Sequence, residues 1–80
     1  MNKKNLRFVV ALKVEAEAIL ELYNLKENTL QKGNFKTFIN DDLNIWLVLS
    51  GIGNINSNKA TKYLREQSPK NKKNIWINIG

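Results

Sequence analysis

Ser50-Gly51-Ile52-Gly53 stands between an apolar run and an amphipathic one, where a strand would hand over to a helix. Glycines there let the backbone approach a ligand closely, and the amino end of a helix favours negative or hydroxyl-rich groups. The segment is not a Walker motif, because no Gly-Lys-Ser/Thr follows. Nor is it a complete dinucleotide fingerprint, because Asn56 occupies the place of a third glycine. The same spacing serves equally as the tight turn itself. Glu15 is the second candidate, since a carboxylate just past the carboxyl end of a buried strand can face a crevice and act as acid or base. It is equally a first-turn acid favoured by the helix dipole. Glu17 and Glu21 form an i, i+4 pair expected to face solvent.

The 80 residues contain no His and no Cys. That removes the commonest general base, thiol nucleophiles, disulfide frameworks and zinc ribbons, and leaves carboxylates, Lys, Ser/Thr, Tyr and backbone groups to do any chemistry. No metal or organic cofactor is expected. Thirteen Lys and Arg against seven Asp and Glu give a net charge of +6, but the lysines are spread along the chain. Only Lys70-Asn71-Lys72-Lys73 cluster, and they follow Pro69, so they read as a solvated loop; nucleic acid is not expected as a partner. No apolar run approaches the ~18–20 residues that cross a bilayer. Lys3 and Lys4 precede a short apolar stretch closed by Lys13 and Glu15, without a small-residue cleavage site. A cytoplasmic protein with no membrane partner is expected.

The elements that would hold these groups follow from periodicity. Residues 6–12 are apolar and β-branched with little alternation, as in a strand buried on both faces. Val14, Ala18 and Leu22, extended by Ile19 and Leu25, predict an amphipathic helix over 14–23 that ends near Asn24. Gly33 interrupts the chain, and residues 35–39 and 44–49 predict two strands joined across Asn40-Asp41-Asp42, the second of them central. A helix over 55–67 carries Ala60, Tyr63 and Leu64 and ends at Ser68-Pro69; residues 75–79 form the last strand. Trp46 and Trp76 fall within strands and are expected in the core. The order strand–helix–hairpin–helix–strand predicts an α/β layer with a mixed, mostly parallel sheet. A chain that stops at the carboxyl end of a buried strand reads as one partial domain over 1–80, with apolar strands at an open edge.

Three segments resemble a family. Phe8-Val9-Val10-Ala11-Leu12-Lys13-Val14-Glu15-Ala16-Glu17 is similar to the opening strand and Ala-Met-x-x-Glu segment of the methylthioadenosine/S-adenosylhomocysteine nucleosidases, within the nucleoside phosphorylase superfamily. Residues 46–53, ending Leu49-Ser50-Gly51-Ile52-Gly53, resemble its hydrophobic strand followed by Ser-Gly-Ile-Gly and a helix. Ile75-Trp76-Ile77-Asn78-Ile79-Gly80 resembles its Ile-Ile-Asn-x-Gly strand. The three occur in the family's order and spacing, and span essentially all of this chain but only the N-terminal portion of a family member.

The resemblance implies the first part of a phosphorylase-like three-layer fold, from a dimeric purine nucleosidase that cleaves the N-glycosidic bond of an adenine nucleoside in purine nucleoside metabolism and methionine salvage. It implies that Glu15 positions and activates the attacking water. It also implies that Ser50, Gly51, Ile52 and Gly53 line the ribose and alkylthio or nucleophile end, and that Asn78 and Gly80 lead into the purine and ribose loop. Leu12 stands where the nucleosidases commonly carry a Met near the ribose, a departure that bears on the substrate. The family's ribose-clamping Met-Glu and purine-protonating Asp have no counterpart here, so the 80-residue chain alone is expected to be inactive. The phosphorylase branch's Gly-Asp-Pro-x-Arg motif is absent, which points toward hydrolysis. The alternatives are a phosphorylase of the same superfamily and a non-catalytic basic binding module.

Overall fold

The computed structural model describes residues 3–30 and 33–80. The elements run β1 (Leu6–Val10), α1 (Lys13–Leu22), β2 (Lys26–Glu27), β3 (Lys36–Asn40), β4 (Ile45–Leu49), α2 (Asn54–Gln67) and β5 (Ile75–Ile79). They form an α/β domain with one five-stranded mixed sheet, ordered β2-β3-β4-β1-β5. β1 pairs in parallel with both β4 and β5, while β3 pairs antiparallel with β2 and β4.

Side chains alternate across this sheet, so the continuous apolar runs of β1 and β4 fill two cores. Phe8, Val10, Ile45 and Leu47 pack with Ala16 and Leu25 on the α1 side. Val9, Trp46 and Val48 pack with Ala60 and Leu64 on the α2 side. The β3–β4 hairpin forms as expected. Asn40 Oδ1 accepts the Leu43 amide at 3.2 Å, and Asn44 takes a positive φ of 53°, a conformation asparagine tolerates better than most residues.

The helix α1 turns a different face inward from the one its spacing predicts. Ala16 is buried, with Ile19, Leu20 and Tyr23 packed beside it, whereas Val14 and Leu22 are 71% and 72% exposed and Ala18 is exposed. Both stripes repeat every three to four residues, so periodicity alone does not separate them. Contact with β1 selects the one bearing Tyr23, whose ring lies 6.0 Å from that of Phe8. Leu25 is buried and Ile19 packs against the core, both as predicted. Ala16→Leu is therefore expected to cost about 1–3 kcal/mol through overpacking. Ala18→Leu should stay within about 0.5 kcal/mol. Thermal denaturation of the two variants checks this, and the reverse ranking would place α1 on the stripe the spacing suggested.

Three further expectations are corrected. β1 stops at Val10; Leu12 is the extended residue before α1 and is 42% exposed. Trp46 is buried as predicted, but Trp76 is 36% exposed, because β5 is an edge strand with β1 as its one neighbour. The two-residue β2, which covers the far edge beside β3, was not anticipated.

Arg7, inside the apolar run of β1, is fully buried on the α2 side of the sheet. Its Nε donates to Ser68 Oγ at 3.1 Å, Nη1 to the Leu6 and Asn44 carbonyls at 2.9 and 2.7 Å, and Nη2 to Asn44 Oδ1 and the Pro69 carbonyl at 2.9 and 3.0 Å. One side chain thereby ties β1 to the hairpin and to the carboxyl end of α2, where a cation also complements the helix dipole. Desolvation by burial lowers its pKa from the ordinary value. Among the described residues no helix is long and apolar enough to cross a membrane.

Candidate functional site

The parallel strands β4, β1 and β5 end side by side, with Val10 aligned to both Leu49 and Ile79. The following residues are pinned there by backbone bonds: Ser50 N donates to the Val10 carbonyl at 2.8 Å, and Ala11 N to the Ile79 carbonyl at 3.0 Å. Such carboxyl ends are where open α/β sheets present their crevices. A cleft of about 360 Å³ lies here, lined by Ala11, Ser50, Gly51, Gly53, Asn54, Ser57, Asn78 and Gly80.

Each wall has a local cause. Gly51 and Gly53 have φ of +82° and +106°, which a side chain would strain, and Gly53 is the residue before α2. No side chain caps that helix start. The Ser50 hydroxyl is held by backbone, 2.9 Å from the Gly51 carbonyl and 3.3 Å from that of Val10, so it shapes the turn and does not stand as a free nucleophile. Asn78 Nδ2 donates to Ser57 Oγ at 3.0 Å, an exposed bond that joins β5 to α2 between two residues of the lining.

Glu15 sits in the first turn of α1, next to Gly80 at the cleft's margin, and is not itself part of the lining. Its Oε1 is buried and has no hydrogen-bond partner among the described residues. Gly80 lies against it with φ +115°: a β-carbon there would fall 3.4 Å from Glu15 Oε1 and 2.5 Å from Ala11 Cβ. Glycine at 80 thus permits the close approach of β5's end to the carboxylate. Glu17 and Glu21 are exposed, as their spacing predicts.

Of the candidates in the sequence, Ser50, Gly51, Gly53, Asn78 and Gly80 converge on the cleft, and Glu15 stands next to Gly80. Leu12 and Ile52 are absent from its lining, and Ile52 is 75% exposed. Asn54 and Ser57 are additions that the sequence reading passed over. Their signal was available, since a residue at the helix start and another one turn later share the face that opens onto the preceding loop. No family model, no curated protein and no solved structure matches this chain.

Proposed function

We propose that these residues form the nucleophile side of a purine nucleosidase site, as the N-terminal portion of such an enzyme. The observation that carries the reading is the buried, unpartnered Glu15 Oε1 beside Gly80, at the carboxyl end of a parallel sheet. Buried polar atoms are overwhelmingly paired, so an orphaned carboxylate oxygen next to a cleft is one a bound water would satisfy. The resemblance of residues 8–17, 46–53 and 75–80 to the nucleosidases supplies the substrate class, an adenine nucleoside of the methylthioadenosine or adenosylhomocysteine kind.

In that chemistry the bond from ribose C1′ to the purine nitrogen breaks and an oxocarbenium-like centre develops. A water hydrogen-bonded to Glu15 attacks C1′, and the carboxylate takes up its proton. The uncapped amino end of α2 and the amides and hydroxyls of Asn54, Ser57 and Asn78 offer partners for sugar hydroxyls. No group in the 80 residues matches the family's acid for the departing purine. The 80-residue chain alone should therefore release no adenine from methylthioadenosine above the uncatalysed rate, while the natural gene product carrying these residues should release it readily. An assay of free adenine on both proteins decides this. Turnover by the isolated 80 residues would overturn the division of roles, and a gene product that releases no adenine would overturn the nucleosidase reading.

A further inference from the structure

A second surface lies away from Glu15, on the α2 side of β5. The Arg65 guanidinium stacks over the exposed Trp76 ring, 5.4 Å from its centroid. This stacked pair separates two cavities. One, of about 230 Å³, is lined by Arg65, Ser68, Pro69, Lys70, Asn71, Asn74 and Trp76. The other, of about 170 Å³, is lined by Val9, Thr61, Arg65, Trp76, Ile77 and Asn78. The two cavities flank the Arg65–Trp76 pair on either side, and together they make up a groove between α2 and the edge strand that the pair divides.

The charge on this groove has one sign. Lys70, Lys72 and Lys73 are exposed on the loop between α2 and β5, and no side-chain carboxylate follows Glu66 in the sequence. Glu66, the sole carboxylate of α2, is one residue beyond Arg65 and so projects about 100° around the helix from it. Lys62 lies one turn before Arg65. The loop itself is shaped by hydrogen bonds: Lys73 N donates to Asn71 Oδ1 at 2.9 Å, and Asn74 Nδ2 to the Pro69 carbonyl at 3.1 Å. None of Arg65, Lys70, Lys72 or Lys73 makes an ion pair among the described residues.

We infer that this groove binds single-stranded nucleic acid, with bases stacking at the Arg65–Trp76 pair and phosphates held by Lys70, Lys72 and Lys73. An aromatic plate beside free cations is the combination that binds single strands without sequence preference. Acidic peptides and anionic membranes would use the lysines but have no need of a stacking plate. Linear charge spacing did not reveal the groove, because Trp76 read as core and only the fold brings Arg65, Lys70 and Trp76 to one cavity. The inference rests on the groove alone and is independent of Glu15 and of the nucleosidase reading.

Fluorescence anisotropy of a labelled oligothymidylate with the 80-residue chain tests it, with inorganic polyphosphate as a base-free polyanion. Binding should weaken with salt, with a log–log slope of about −2 to −3 for three to four neutralised phosphates. Trp76→Leu should weaken oligothymidylate binding roughly tenfold or more and leave polyphosphate binding unchanged. Replacing Lys70, Lys72 and Lys73 together by Gln should make the salt slope shallower by about 2. Arg65→Gln, on an exposed helix position, is the companion variant, and thermal melts establish that each variant is folded. Failure to bind oligothymidylate at low salt would overturn the inference. So would oligothymidylate affinity no greater than that for polyphosphate and unmoved by both Trp76→Leu and Arg65→Gln, each shown to be folded. Self-association of the chain through Trp76, seen as a dimer that Trp76→Leu dissolves, would overturn it too.

Discussion

Arg7→Met is expected to lower the melting temperature by roughly 12–24 °C. The magnitude follows from what the substitution leaves behind. Arg7 is fully buried and uses five donated hydrogen bonds to satisfy groups on three separate segments. Methionine recovers the desolvation that burial imposes on the cation, but it strands the Asn44 carbonyl and Oδ1 and the Ser68 hydroxyl oxygen, each costing about 1–3 kcal/mol; the Pro69 carbonyl keeps its bond from Asn74 Nδ2. A net loss of about 3 kcal/mol is a large part of the ~4–12 kcal/mol that a domain this size commands. At about 4–8 °C per kcal/mol for small domains, that gives the stated shift. Arg7→Lys should fall between the two, because an ammonium has three donors on a single atom and cannot bridge the hairpin and the end of α2 together. Buried charges replaced by apolar side chains sometimes gain stability. An Arg7→Met variant that melts at or above the parent temperature would show that desolvation outweighs the five bonds here.

On the proposed nucleosidase reading, Glu15→Gln in a gene product carrying these residues should reduce adenine release by about 10²–10⁴-fold, the usual cost of removing a general base. The amide keeps the shape of the side chain and loses the capacity to take the water's proton. Because Glu15 Oε1 has no donor among the described residues, Gln breaks no hydrogen bond there and the melting temperature should move little. Glu17→Gln and Glu21→Gln, on the exposed face of α1, should leave turnover nearly unchanged, since exposed carboxylates rarely contribute more than ~1 kcal/mol. Turnover and melting temperature measured on the three variants check this. A dead Glu17→Gln beside an active Glu15→Gln would mean that residues 8–17 carry the carboxylate in a different register.

Much of the scaffold was legible because hydrophobic runs and turn residues speak for themselves. The unbroken apolar run Ile45–Leu49 is the central strand β4, Asn40-Asp41-Asp42 opens the hairpin turn, and Ser68-Pro69 closes α2. Asn78 and Gly80 were singled out through the resemblance alone; their convergence with Ser50 and Gly53 has a topological cause, since three parallel strands bring their carboxyl ends to one side of the sheet. What stayed hidden depends on partners distant in the chain. Which stripe of α1 faces inward is decided by Phe8, not by the helix's own spacing. Arg7 was passed over within an apolar run, because its acceptors at Asn44, Ser68 and Pro69 come from other elements. Trp76 read as core because a strand's place at the edge is a property of the whole sheet. Leu12 and Ile52 lie within the right segments but outside the cleft. Ile52 is carried outward between two glycines of positive φ, and Leu12 is left exposed where the chain turns into α1.

The most direct test of a Glu15-held water is to follow the oxygen. The natural gene product is incubated with methylthioadenosine and inorganic phosphate in water labelled with heavy oxygen, and the sugar product is analysed by mass spectrometry. Free methylthioribose carrying one labelled oxygen, formed at a rate that collapses in Glu15→Gln, is the expected result. A sugar phosphate as the product, or an intact nucleoside after prolonged incubation, would contradict it.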